Sequence, residues 1–441
     1  MPAGDNDTNA RPNTPWKAGV AAYLGSATEF YDFCIFGTAS ALIFSKIFFP
    51  QADTAAALLM SFVTLALGYL ARPIGAVLLG HMGDKYGRKR VFVLSLLTMG
   101  VGTFLVGCLP TYDQVGWLAP ALLLFLRVGQ GLAASGQQSS SIGMALEHAP
   151  EKRRAFFTSL SASGFHAGSV LATAVFVPIL ALPDAQLLQW GWRIPFWLGS
   201  CVALVGYFVK RELRETPVFE AVCRSGTVVR MPLLVLCQRY SVDVLRVMCC
   251  SLVAMVSVIF TVYALSYAVN IAKMDRETVL LATVSANVIG LFVIPLWAIL
   301  ADRIGRKPVF LIGAIGSPLG MFCYLWAIEA HDIPLVFGFG IVSSGIAYSA
   351  FGAVWPSFFN EMFDARVRLS GAGIGMQIGF AVAGCAPALA VAFPFGGADT
   401  WLPGACLCAG ACGIAAISAL TARETYDVPI DACGRETRAS G

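Results

Sequence analysis

Glu29, Asp32, Arg72 and Arg127 are the residues of this 441-residue chain whose types and placement invite chemistry. Each stands inside an apolar run long enough to cross a bilayer, where an ionisable group is costly and faces a partner, water or the protein interior. At a rise of ~1.5 Å per residue, Asp32 lies roughly 20 Å from the start of its run and Arg72 roughly 18 Å before Asp84. By the same rise Arg127 lies roughly 14 Å in from the outer end of its run, near residue 117, so all four fall in the middle third of a membrane. Glu29 and Asp32, three residues apart, share one helix face. Two acids and two arginines at one depth predict a polar cavity with a proton site and an anion site. Asp32, with Glu29 as helper, would accept a coupling proton, while Arg127 or Arg72 pairs with a substrate carboxylate. The alternative is a pair of structural ion bridges, Asp32–Arg127 and Glu29–Arg72, although buried pairs are poor devices for stability. His166, in a run of small residues, is either a proton relay, since imidazole titrates near neutrality, or a hydrogen-bonded packing residue.

Positioning such residues takes long apolar helices. The chain is 57% hydrophobic and 13% charged, against roughly 25% charged in a soluble protein. Its charges collect in short gaps between apolar runs near 18–45, 54–80, 91–109, 117–146, 155–181, 192–209, 244–272, 278–300, 308–328, 334–360, 369–393 and 401–422. None alternates polar and apolar residues as a membrane β-strand would. The expectation is an all-α integral membrane protein of twelve transmembrane helices in two pseudo-symmetric six-helix bundles. The 13 cysteines lie mostly inside these runs and form no CxxC set, so they read as packing residues and no metal site is expected.

A duplication supports the two bundles. The charged string GHMGDKYGRKR (80–90) has a weaker copy in ADRIGRK (301–307), aligning Asp84 with Asp302 and Arg88 with Arg306. Glu147 precedes Arg154 by the same interval as Glu361 precedes Arg368. The longest polar stretch separates six runs from six, which predicts a tail at 1–16, disordered, bundles at 17–209 and 244–422, a linker at 210–243 and a tail at 423–441. Lys and Arg crowd the gaps on one side, so both termini are expected in the cytoplasm. No cleavable signal is expected, the first run serving for insertion. Asp84, at the end of the second helix, has Gly83 and Gly87 beside it for a tight turn. An acid there can pair with arginines or with the positive start of a helix from the other bundle, near Ser370. Gly68, Gly75 and Gly80 allow the second helix to bend and approach its neighbours.

The string at 80–90 resembles the loop signature of the major facilitator superfamily. With GSATEFYDF (25–33), ARPIGAVLLG (71–80), LRVGQG (126–131), EHAPEKRRAF (147–156), WGWRIPF (190–196) and ADRIGRKP (301–308), the chain resembles that superfamily's metabolite:proton symporters. These carry shikimate, α-ketoglutarate, citrate or proline and betaine. The resemblance implies a latch that closes the cytoplasmic side, built here from Gly80, Asp84, Gly87, Arg88, Glu147, Arg154, Asp302, Arg306, Glu361 and Arg368. It also exposes a departure: where the relatives read roughly GGEWGG, this chain has SGQQSS (135–140). The family's acid becomes Gln137, which cannot titrate, and Gln137 with Gln138 can hydrogen-bond a hydroxylated solute instead. Tyr31, Tyr263, Tyr267, Trp355 and Phe380 are further candidates for the cavity wall, packing being the commoner role for each.

The function expected is proton-coupled uptake of a small organic acid, such as a shikimate-like or dicarboxylate metabolite, by alternating access. The alternative is a zwitterionic osmolyte such as proline or betaine, whose osmosensing carriers have a long coiled coil for which 423–441 is too short. Expected partners are the solute, the proton and the lipid bilayer of a cell inner membrane, with the chain a monomer and no nucleic acid bound. No enzyme activity is expected, and no cofactor, the proton gradient being the energy source.

Overall fold

Every long element among the described residues is a helix, as the apolar runs dictate. The computed structural model describes residues 14–86, 88–201, 236, 238–364, 367–393, 401–429 and 433, the side chains of 14, 81, 83–86, 88 and 89 excepted. The first helix is α1 (Thr14–Leu42), which carries Glu29 and Asp32. Among the described residues, ten other helices are long and apolar enough to cross a membrane. In chain order they are α2 (Thr54–Gly80), α3 (Arg90–Gly107), α4 (Leu118–His148), α5 (Glu151–Leu180), α7 (Ser241–Ile271), α8 (Arg276–Ile304), α9 (Arg306–Glu329), α10 (Ile333–Glu361), α11 (Arg368–Ala392) and α12 (Leu402–Thr421). Between α5 and α7, α6 is helical over 193–201, where the description stops. The expected linker therefore lies mostly outside the described residues.

The halves meet along α5 against α8 and α2 against α11, while α1 packs on α5 and α7 on α11 within each half. Small residues set how closely α2 and α4 cross. A Cβ at Gly131 on α4 would collide with the Gly68 carbonyl, and one at Gly68 would lie 2.6 Å from Arg127 Nε. Gly68 thus leaves the space that the buried guanidinium fills. Gly80 needs no such space, since a Cβ there would meet nothing within 4 Å.

Three local features depart from expectation. The signature at 80–86 is not a turn: the helix continues through Gly83 to Tyr86. Gly87 and the side chains of Asp84 and Arg88 lie outside the described residues. The second copy shows where such a chain does break, because α8 ends at Ile304 and Gly305 takes φ +108° before α9 begins. A side chain rarely tolerates that conformation. Wider turns also interrupt α7 at Ile259–Tyr263 and α10 at Ile341–Tyr348, a deformation frequent where a helix serves a site. Finally, residues 423–429 are not a free tail but fold back against the ends of α5 and α9.

The crossing at Gly131 gives a paired test. Gly131→Ala should destabilise the protein by about 1–3 kcal/mol, the usual cost of overpacking, read as a lower unfolding temperature in detergent. Gly129→Ala, in open space on the same helix, should be neutral or slightly stabilising.

Candidate functional site

One turn of α1 organises the charged centre. Glu29 accepts a hydrogen bond from Arg72 Nη2 at 2.8 Å, joining α1 to α2. Asp32, one turn on, accepts from Arg127 Nη1 at 3.1 Å, joining α1 to α4. All four side chains are essentially shut off from solvent. Phe33 lies between the two cations, its ring centroid 4.1 Å from the Arg72 guanidinium carbon and 4.5 Å from that of Arg127. The face of an aromatic ring is negative, so it spreads the two positive charges without adding an anion.

The two pairs differ in how completely they are satisfied. Asp32 Oδ1 also accepts from Gln130 Nε2 at 2.9 Å and from the Thr103 hydroxyl. The Arg127 guanidinium further packs on Phe36, 4.0 Å from its ring centroid. Glu29 Oε2 and Arg72 Nε have no hydrogen-bond partner, and neither do Nε and Nη2 of Arg127. Gln130 and Thr103 escaped the sequence reading. Gln130 stands one turn from Arg127, the one hint available; Thr103 is a lone hydroxyl in an apolar run.

Of the four charged side chains, Arg72 lines a hollow among the described residues. A hollow of about 60 Å³ between the halves is lined by Phe30, Arg72, Gln138, Phe165, Tyr348 and Trp355, among others. An adjoining one of about 20 Å³ shares Phe30, Gln138, Phe165, Tyr348 and Trp355 with it and adds Ser26 and His166, among others. Such volumes hold a few waters at most, so a metabolite enters only when the halves separate. Phe380 also lines the larger hollow. Arg127, Gln137 and Tyr31 do not line either. Gln137 donates to the Gly25 carbonyl, and Tyr31 donates to the Pro195 carbonyl at 2.8 Å, tying α1 to α6. Tyr263 and Tyr267 likewise stand outside both walls, stacked on one another. A larger groove of about 650 Å³, with Leu79, Leu94 and Leu132 in its wall, has no ionisable side chain in its lining.

Around the hollows the halves are bridged by neutral groups. His166 Nδ1 and Asn287 Oδ1 are 2.7 Å apart, linking α5 to α8. Gln377 Nε2 donates to Gln138 Oε1 at 3.0 Å, linking α11 to α4. Asn287 and Gln377 were not foreseen, although each is a lone amide within an apolar run.

At the end bearing the duplicated signature the bridges are charged. Asp302 receives the Ala155 and Phe156 N–H groups, both at 3.1 Å, at the start of α5. This is the arrangement expected for Asp84, displayed by its counterpart. Arg306 donates to Asp302 at 2.9 Å and pairs with Glu361 at 3.3 Å. Glu361 also pairs with Arg154 of the other half at 3.3 Å. Arg368 lies within electrostatic reach of Glu147 and Glu361 and donates to the Phe363 carbonyl. The acids and bases spaced evenly in sequence therefore exchange partners across the halves. At the opposite end, Asn270 donates to the Ala41 carbonyl at 3.3 Å and Arg276 pairs with Asp184 at 3.5 Å.

Comparison with known proteins agrees with this architecture. The Major Facilitator Superfamily profile matches residues 22–293 and 247–432. The chain is 33% identical over 415 residues to the shikimate transporter of Escherichia coli, covering 93% of this chain and 94% of that protein. It is 36% identical over 377 residues to the inner membrane metabolite transport protein YhjE of the same organism, covering 83% of this chain and 84% of the relative. A proline/betaine transporter of E. coli is 30% identical over 427 residues, with 94% and 84% covered. Among solved structures, the proton:xylose symporter XylE superposes with a TM-score of 0.73 at 19% identity, covering 94% of this chain and 97% of that one.

The Asp32 cluster predicts a strong coupling. Arg127→Met alone leaves a buried carboxylate without its cation and should cost about 3–5 kcal/mol. Adding Asp32→Asn should restore part of that loss, as measured by unfolding temperature in detergent.

Proposed function

Because the chain belongs to the major facilitator superfamily, we propose that it takes up a small organic acid together with a proton, by alternating access around the hollow between its halves. It is a multi-pass membrane protein and a transporter rather than an enzyme. The proposed substrate class is a shikimate-like hydroxylated carboxylate. The proposed setting is a cell inner membrane, with both termini cytoplasmic, the chain monomeric in lipid and the proton gradient the sole energy source, without a cofactor.

The observation that carries this reading is the Glu29–Arg72 pair: fully buried, its arginine lining the hollow, with one carboxylate oxygen and one guanidinium nitrogen still unpartnered. A substrate carboxylate arriving at Arg72 competes with Glu29 for the cation. Glu29 then faces an apolar surround without its counter-charge, which disfavours its ionised form, so it takes up a proton. Substrate and proton thereby favour each other's binding, and that reciprocity is coupling. Asp32 is held by three donors away from the hollow, so its role is to fix Arg127 and to serve as a second titrating group. Gln138, Ser26 and His166 supply hydrogen bonds for solute hydroxyls. The charged bridges of Asp302, Arg306, Glu361 and Arg154 close the cytoplasmic side, and the outward-facing state keeps them.

A zwitterion such as proline or betaine is the second reading. The adjacent positive and negative groups of Arg72 and Glu29 would complement both its charges.

Uptake of labelled shikimate and labelled glycine betaine into proteoliposomes tests these readings. With an inside-alkaline gradient, shikimate should accumulate and betaine should not; the reverse outcome selects the zwitterion. Glu29→Gln should abolish gradient-driven accumulation while leaving solute exchange intact. Full gradient-driven rates in both Glu29→Gln and Asp32→Asn would remove the coupling assignment.

A further inference from the structure

After α12 the chain turns back beneath the bundle, and its contacts with the two halves are very unequal. With the C-terminal half they are many. Glu424 accepts from the Arg306 and Lys307 N–H groups at 2.9 and 3.0 Å, capping the first turn of α9. A carboxylate suits that position, where free N–H groups and the helix dipole favour negative charge. Gly305 leaves room for it, since a Cβ there would lie 2.8 Å from Glu424 Oε2. Lys307 Nζ donates to the Leu420 and Ala422 carbonyls at 2.9 and 2.8 Å. Thr425 donates its hydroxyl to Glu361 at 2.6 Å.

With the N-terminal half, the hydrogen bonds of this segment among the described residues converge on Arg154. Its Nη2 donates to the carbonyls of Val428 at 2.8 Å, Tyr426 at 3.2 Å and Thr425 at 3.4 Å. Its Nη1 lies 3.9 Å from Cys433 Sγ, and its Nε pairs with Glu361. The guanidinium is 2% exposed. It also occupies the first residue of the α5 helix proper, the end where a positive charge is disfavoured. Glu361 and three backbone carbonyls offset that penalty, and all four belong to the other half.

We propose that residues 423–429 form a strap, carried by the C-terminal half, that holds Arg154 and must release it before the cytoplasmic side opens. The strap is a third component of the closure beside the Asp302 and Glu361 bridges. It rests on the alternating-access reading above, yet it is testable with no solute and no gradient. Its effect is to favour the state closed toward the cytoplasm, and its loss shifts the resting population toward the open one.

Hydrogen exchange on the purified protein in nanodiscs reads that population at Ala155 and Phe156, whose amides bond to Asp302 only while the closure holds. A chain ending after Ala422 should exchange about tenfold faster over 154–160. A chain ending after Cys433 should match the full protein. Peptides from the far end of α4, 118–126, report folding and should stay protected in both. If they lose protection in the shorter chain, Thr425→Val and Glu424→Gln in the full-length protein take its place, each expected to speed exchange over 154–160 several-fold. Unchanged exchange at 154–160 in the folded truncation, or in both point variants, overturns the strap. Failure of the full-length protein to accumulate either shikimate or betaine, with faster exchange in the truncation, would instead overturn the transport reading and leave the strap standing.

Discussion

A charge taken out of water and into a greasy bundle must meet an opposite charge, and that constraint shapes the centre of this protein. Glu29 and Asp32 answer it by facing Arg72 and Arg127 from one side of α1. The consequences spread outward. Gly68 is small because Arg127 needs its space, Phe33 is aromatic where two guanidiniums flank it, and Gln130 and Thr103 fill the remaining valences of Asp32. Each of these residues belongs to the first half, so the whole cluster can move as one body.

The contacts between the halves follow a different logic. Around the hollows they are neutral: His166 with Asn287 and Gln138 with Gln377. A neutral hydrogen bond contributes roughly 0.5–1.5 kcal/mol net, so separating the halves there exposes no stranded charge. Charged bridges between the halves instead lie at the two ends: Asp302 with the start of α5 and Glu361 with Arg154 at the signature end, and Arg276 with Asp184 at the other. Water that enters as such bridges part can solvate both partners. The ion pairs at the centre thus lie within one half, while the bonds across the hollows are neutral.

The duplicated signature gains meaning from this division. In sequence Glu361 and Arg368 look like one unit, as Glu147 and Arg154 do. In space Glu361 is shared by Arg154 and Arg306, and Arg368 feels Glu147. A duplicated motif whose members pair with the counterpart copy as well as with their own ties two bundles together. The strap at 423–429 adds a non-repeated element to this symmetric closure, and it acts through the same arginine.

Sequence alone determined the long helices, their number and their duplication, because apolar length and charge placement are set by the bilayer and need no partner. It also determined that four ionisable groups share one depth, since rise per residue converts position into height. Depth, however, does not give azimuth. Whether a side chain at a known height turns toward the hollow depends on how neighbouring helices pack, and only the tertiary structure decided that Arg72 and Gln138 do while Arg127, Gln137 and Tyr31 do not. The helical course of 80–86, the exchange of partners by Glu361 and the return of 423–429 beneath the bundle were equally illegible. The last two depend on contacts between residues far apart in the chain, for which local composition carries no signal.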